Sequence, residues 1–293
     1  FDYYFQRRTV RSVLMSAIQS FEDDTQFLRL VRRESDVDLV VAALEIARDG
    51  QPDLDFAPTL ETLRSSVASL TRSVALAGDD VSELQLLIRH LTDELNLCGD
   101  EHCFDQAEAS YLNCVLESGR GLPITLSVIY MAIASELGIP LEGIAAPSHF
   151  VTRLNSDSGI LYVDPVRGGH IMDEVECVEW LHEITELPTA DIYPTLKPVS
   201  ERAIIIRMLN NLKALFGSRD QWGSAWKVQR RLAVLKPGSW RERRDLAILT
   251  LRAGRPGEAV TLLEDCIRVC TAQERQVLKH HLREAQKLVP QYN

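Results

Sequence analysis

Apolar residues recur at three- and four-residue steps in three stretches of the first third of the chain: Leu39, Ala43, Leu44 and Ile46; then Leu60, Leu63, Val67, Leu70 and Val74; then Leu84, Leu87, Ile88, Leu91 and Leu95. Such spacing puts one apolar stripe on each of three helices. Ser35-Asp36 is read as the cap of the first helix and Gly50 as its stop, and Asp79-Asp80 opens the third. Gln51-Pro52-Asp53-Leu54-Asp55 reads as a turn. From Pro123 to Leu137 the pattern changes, because nearly every position is apolar. A helix without a polar face is a buried one. Pro123 suits its first turn, and Gly138 suits the place just past its end. Short runs then follow, Leu141 to Ala145, Phe150 to Leu154 and Ile160 to Val163, with Asn155-Ser156-Asp157-Ser158-Gly159 as a turn between the last two. They predict strands, the last two joined as a hairpin. Helical periodicity returns at about residue 201. The expected class is α+β, in three parts: a helical region 1–97, a core 98–200 and a helical tail 201–293.

The tail carries a repeat. Leu212 and Leu246 are 34 residues apart, as are Ala225 and Ala259. That is the tetratricopeptide (TPR) period. Asp220-Gln221-Trp222 and Gly254-Arg255-Pro256-Gly257 occupy matching turns, and Pro237 follows the first helix pair. The plainer reading is a helical bundle that packs and binds nothing.

Composition narrows the function. Among 293 residues, 45% are hydrophobic and 25% charged, as in ordinary globular proteins. A net charge of −10 leaves no general basic face for nucleic acid or for an anionic membrane surface. No apolar run reaches the roughly 18 residues of a membrane span. The first residues, which lack a Met, show no signal-peptide pattern. The six cysteines, Cys98, Cys103, Cys114, Cys177, Cys266 and Cys270, show no framework spacing, which points to the reducing cytoplasm.

Candidate chemistry centres on His149 and Asp164. His149 is expected to open one strand of the hairpin and Asp164 to close the other, so their side chains should meet at one end of the sheet. A carboxylate there fixes the imidazole tautomer and supports its charged form. Cys98-Gly99-Asp100-Glu101-His102-Cys103 offers thiolate and imidazole ligands, but a second ligand pair for zinc is missing. Neither a metal nor another cofactor is expected. His280-His281 lies on a polar helix, and Gly168-Gly169-His170 is a turn that shapes a rim rather than a phosphate loop.

Gly121-Leu122-Pro123-Ile124-Thr125-Leu126-Ser127, Leu137-Gly138-Ile139-Pro140, Pro147-Ser148-His149-Phe150 and Val163-Asp164-Pro165 together resemble the transglutaminase-like family of bacterial SirB proteins. Arg207-Met208-Leu209-Asn210-Asn211-Leu212-Lys213 and Arg244-Asp245-Leu246 look like the TPR-type region that follows in that family. The resemblance covers residues 35 to 290 and implies a papain-type core. Active transglutaminase-like enzymes place a nucleophilic cysteine at the amino end of the buried helix, where the dipole and the neighbouring His stabilise a thiolate. Here that place falls at Pro123, with Ile124 and Thr125 next, and none is a thiol. The SirB-like pattern shares the proline.

Three substitutes are open: Cys114, Thr125 and, deeper in the helix, Ser127. The expected function is therefore a non-catalytic transglutaminase-like protein that binds a protein or peptide. The rival is a cysteine-type amidase, protease or transamidase using His149 and Asp164 with Cys114 or Thr125 as nucleophile. Acid–base chemistry by His149 on water is a third course.

Overall fold

A computed structural model describes residues 19–289, apart from the side chains of Glu101 and His102. The helical reading of residues 1–18 and any part for His102 lie outside the described residues. Two compact units emerge. Residues 37–208 form one, and residues 209 onward form the other together with the described part of the first 36.

In chain order the helices before the sheet are α1 (Thr25–Arg32), α2 (Leu39–Ala47), α3 (Ala57–Ala75), α4 (Asp80–Arg89), α5 (Leu112–Ser118) and α6 (Pro123–Glu136). The cap of α2 is Asp38, whose side chain accepts from Val41 N; this corrects the expectation of Ser35-Asp36. The helix begins later because Asp38 stands directly before the first apolar residue. Asp79 caps α4 as expected, by accepting from Ser82 N, and α4 continues into a π-helical turn, His90–Glu94. Eight successive residues of α6, Pro123 to Tyr130, are buried, as its unbroken apolar pattern requires.

The sheet holds β1 (Glu142–Ile144), β2 (Val151–Ser156), β3 (Gly159–Asp164) and β4 (His170–Met172), antiparallel and in that order. The predicted hairpin is β2–β3, with Asn155 opposite Ile160 and Thr152 opposite Val163. Two details differ from expectation. His149 precedes β2 in a turn rather than opening the strand, and His170 begins β4, pairing with Asp164. A three-residue strand is too short for alternation to reveal it. Helix α6 packs on β1, β2 and the 3-10 turn Pro165–Arg167. Behind the sheet come α7 (Glu174–Thr185), α8 (Thr189–Ile192) and α9 (Glu201–Ser218). Asp173 and Glu176 close a capping box at the head of α7.

The second unit continues α9 and adds α10 (Trp222–Leu235), α11 (Trp240–Arg252), α12 (Pro256–Val269) and α13 (Ala272–Leu288). Successive helices from α10 to α13 pack against one another. Ala225 and Ala259 are the fourth residues of α10 and α12, and both are 0% exposed. The 34-residue spacing therefore marks equivalent close-packed places, where a small residue lets two helices approach. The alternate helices α9, α11 and α13 share an ion network: Lys213 to Asp245 at 3.3 Å, Arg244 to Asp245 at 2.9 Å and Arg244 to Glu274 at 3.1 Å. The Trp240 indole N–H also donates to Glu274, at 2.8 Å. In the same unit Arg231, 2% exposed, meets Asp24 at 2.8 Å and stacks on Phe21 and Phe27.

If the two alanines set the helix spacing, Ala225→Leu and Ala259→Leu should each overpack the unit and cost about 1–3 kcal/mol in chemical denaturation. A change at the exposed Ser218 should cost nothing measurable; equal stability of all three variants would remove the repeat argument.

Candidate functional site

Asp164 ends β3 inside the unit, at 0% exposure. Its Oδ1 accepts from Val166 N at 3.0 Å, which caps the Pro165–Arg167 turn, and lies 3.0 Å from His149 Nε2. With the carboxylate as acceptor, Nε2 carries the proton and Nδ1 keeps its lone pair. The His149 side chain is 12% exposed, so it meets the buried acid while part of the ring reaches solvent. Its ring meets Trp180 of α7 edge-on, with centroids 4.8 Å apart, and the Arg167 guanidinium lies 5.6 Å from the Trp180 ring. The arrangement is that of an oriented base, able to take a proton at Nδ1 while the carboxylate supports the resulting charge.

The turn before β2 is held by a residue that sequence reasoning assigned only to the tail. Arg207 of α9 donates to Ala146 O at 3.1 Å and to His149 O at 2.6 Å, with its guanidinium 5.6 Å from the Phe150 ring. Burial pulls the guanidinium below its ordinary pKa. Within this turn Ser148 has φ 55°, the left-handed region that L-residues adopt at a cost. The clamp on both sides of Ser148 keeps that conformation and thereby aims the His149 ring. The only sequence signal for Arg207 was a charged residue inside a mostly apolar helix stretch.

The head of α6 bears on the expected nucleophile. Pro123, Ser127 and Tyr130 fall on one stripe, by the i, i+4, i+7 rule. Tyr130 on that stripe is fully buried, and its phenol also feels the Asp164 carboxylate. Burial raises the phenol far above its usual range, so it stays neutral. Thr125 lies about 140° around the helix from Tyr130, off the stripe. The hydroxyls of Thr125, Ser127 and Tyr130 are all buried without a hydrogen-bond partner among the described residues, as is Asp164 Oδ2.

Cys114 belongs to α5, where Gln51 Nε2 donates to its Sγ at 3.3 Å and Asn113 Nδ2 approaches at 3.5 Å. Burial holds its pKa above the ordinary thiol value. Two other thiols have different surroundings. Cys177 of α7 is 0% exposed and feels Asp164, with burial first among the causes that push its pKa up to about 12. Cys98 is half-buried and takes a hydrogen bond from Arg120 Nη1. The neighbouring Gly99 donates to Val166 O at 3.2 Å, an approach so close that a Cβ at Gly99 would strike Val166. Among the described residues no three His, Cys, Asp or Glu side chains gather to hold a metal ion.

If Arg207 aims the histidine, Arg207→Met should leave two partly buried carbonyls without their donor and cost about 1–3 kcal/mol of stability. It should also release the His149 ring, read by NMR as loss of its slowly exchanging Nε2 proton; an unchanged ring signal would refute the clamp.

Comparison with known proteins follows the same division. A transglutaminase-like superfamily profile matches residues 57–210, and a tetratricopeptide repeat profile matches residues 212–283. A UPF0162 protein of Xylella fastidiosa (strain Temecula1) is 35% identical over 236 residues, spanning 77% of this chain and 82% of the relative. A UPF0162 protein of Pseudomonas aeruginosa is 28% identical over 68% of this chain and 72% of its own length. F-box only protein 21 of Mus musculus is 27% identical over 66% of this chain, but only 30% of that protein is covered. No solved structure matches the chain. The profile over the His149–Asp164 core and the long Xylella alignment together place this chain in the transglutaminase-like superfamily, with a tetratricopeptide-repeat region following its core.

Proposed function

We propose that this chain is a protein- or peptide-binding protein of the SirB-like branch, acting in the cytoplasm, whose transglutaminase-like core performs no thiol chemistry. The observation that carries the reading is Pro123 as the first residue of α6. It lies on the same stripe as Tyr130 and offers neither a side-chain nucleophile nor a backbone N–H. His149 and Asp164 keep the roles of base and orienter, so the core holds an oriented imidazole without the thiol that acyl transfer needs. Cys114, the first substitute, supports this reading: its sulfur is occupied by Gln51 and its thiol form is favoured by burial. Thr125 supports it too, by its place off the stripe. The repeat region supplies the interaction surface, since helix pairs of this kind present extended faces to partners. The three parts 1–97, 98–200 and 201–293 belong to this proposal. Among the described residues no helix is long and apolar enough to cross a membrane.

A second reading rests on Cys98. The Arg120 guanidinium donates to its sulfur, and the next residue, Gly99, donates to Val166 O in the turn that follows Asp164. The two readings part in one experiment. Iodoacetamide labelling, followed residue by residue by mass spectrometry, should be slow at every cysteine, and His149→Ala should not change any rate. Fast labelling of Cys98 or Cys114 that collapses in the His149→Ala variant would restore a catalytic thiol and overturn the proposal.

A further inference from the structure

Several arginines of the second unit stack on aromatic rings, Arg230 on Trp226 among them, and two of these stacked arginines stand exposed at one end of it. On α9, α11 and α13, Lys213, Arg244, Asp245 and Glu274 pair among themselves. Arg252, the last residue of α11, instead lies 4.9 Å from the Trp222 ring. It is exposed and meets no carboxylate among the described residues. Arg255, just before α12, lies 3.9 Å from the Trp226 ring. It is 51% exposed and approaches only Glu258, at 3.9 Å, an exposed pair of little strength. An indole face holds a guanidinium in place without using its N–H donors. Two donor forks thus stand fixed at this end of the unit, with their hydrogen-bonding capacity turned outward.

The backbone beside the forks repeats the theme. Both α10 and α12 begin without a side-chain cap, at Gln221 and Arg255. The second residue of each is a glycine, Gly223 and Gly257, and nothing lies within 4 Å of where a Cβ would stand. These glycines are 34 residues apart, so the device recurs with the repeat. An approaching chain can therefore come close to open amide groups next to each arginine. On a chain of net charge −10, the two exposed guanidinium groups supply a local attraction for an acidic partner.

We propose that this end of the helical unit, formed by Arg252 on Trp222 and Arg255 on Trp226, is the docking surface for an extended acidic segment of a partner protein. Two carboxylates of such a segment take the two guanidinium forks. The proposal rests on the reading of the chain as an interaction protein and names the chemistry of its partner.

The test uses the full chain and a fluorescein-labelled peptide of alternating glutamate and glycine, compared with its glutamine counterpart and with a single-stranded oligonucleotide of equal charge. In fluorescence anisotropy the glutamate peptide should bind, and the glutamine peptide should bind at least about tenfold more weakly. The Arg252→Glu, Arg255→Glu double variant should lose about tenfold in affinity, and the milder Arg252→Gln, Arg255→Gln pair should lose about threefold. Both variants alter exposed side chains and should keep the parent circular dichroism and melting temperature. Binding should weaken as salt rises from about 50 to about 200 mM. Failure of the acidic peptide to bind, equal binding of the glutamine peptide, unchanged affinity in both variants, or tighter binding of the oligonucleotide would each overturn the proposal. Equal binding of the glutamine peptide would still leave an interaction protein. Loss of the non-catalytic reading is detected separately by His149-dependent thiol labelling, so the two failures are distinct.

Discussion

A carboxylate that is 0% exposed governs the architecture of the first unit. Taking an isolated charge out of water costs several kcal/mol unless hydrogen bonds and an opposite charge offset it. Asp164 meets that demand on one oxygen, with Val166 N and His149 Nε2 both at 3.0 Å. Each partner then constrains another element. The Val166 contact requires the chain to turn sharply at Pro165, and this turn is the one on which α6 packs. The imidazole contact requires the loop before β2 to bring residue 149 back across the end of the sheet. The apolar all-round character of α6 follows from the same place, since it fills the space between that turn, β1 and β2.

The cost of bringing His149 to Asp164 is carried by the backbone at Ser148 and by a half-buried charge. A left-handed serine persists only where its neighbours over-determine it. Arg207 does so by holding the carbonyls of residues 146 and 149. A guanidinium suits this role because its fork reaches two acceptors at once and keeps its charge under desolvation. Helix α9 therefore contributes to both units: Arg207 fixes the turn that carries His149 in the first, and from Leu209 onward the helix belongs to the second.

What could be read from the sequence was local. The buried helix from Pro123, the hairpin and the pairing of His149 with Asp164 all follow from periodicities and turn chemistry within a few tens of residues. The Asp38 cap was misjudged in favour of Ser35-Asp36 because several polar residues crowd the start of α2, and only backbone geometry chooses among them. Strand β4 has too few residues to show alternation. The contacts that no local pattern encodes were the ones missed. Arg207 lies 58 residues from His149, and Arg120 lies 22 from Cys98. Such partners are set by which loops the fold brings together, and a composition or spacing rule has no access to them.

The helical unit shows the same limit for charge. A sum of −10 argues correctly against a basic protein, yet it averages over faces whose ions are arranged differently. On α9, α11 and α13 the charges neutralise one another: Lys213 and Arg244 bracket Asp245, and Arg244 continues to Glu274. Ions used in this way stiffen the stack and leave little for a partner, because any new contact must first displace an existing one. Arg252 and Arg255 are held instead by indole rings, which fix position without neutralising charge. The difference between a structural ion and an available one is thus decided by the nature of its neighbour. A carboxylate neighbour consumes the guanidinium's donors, and an aromatic neighbour leaves them free. In this unit the sequence marks the second case by tryptophan at 222 and 226, in the first turns of α10, whose rings lie beneath arginines from the end of α11 and the turn before α12.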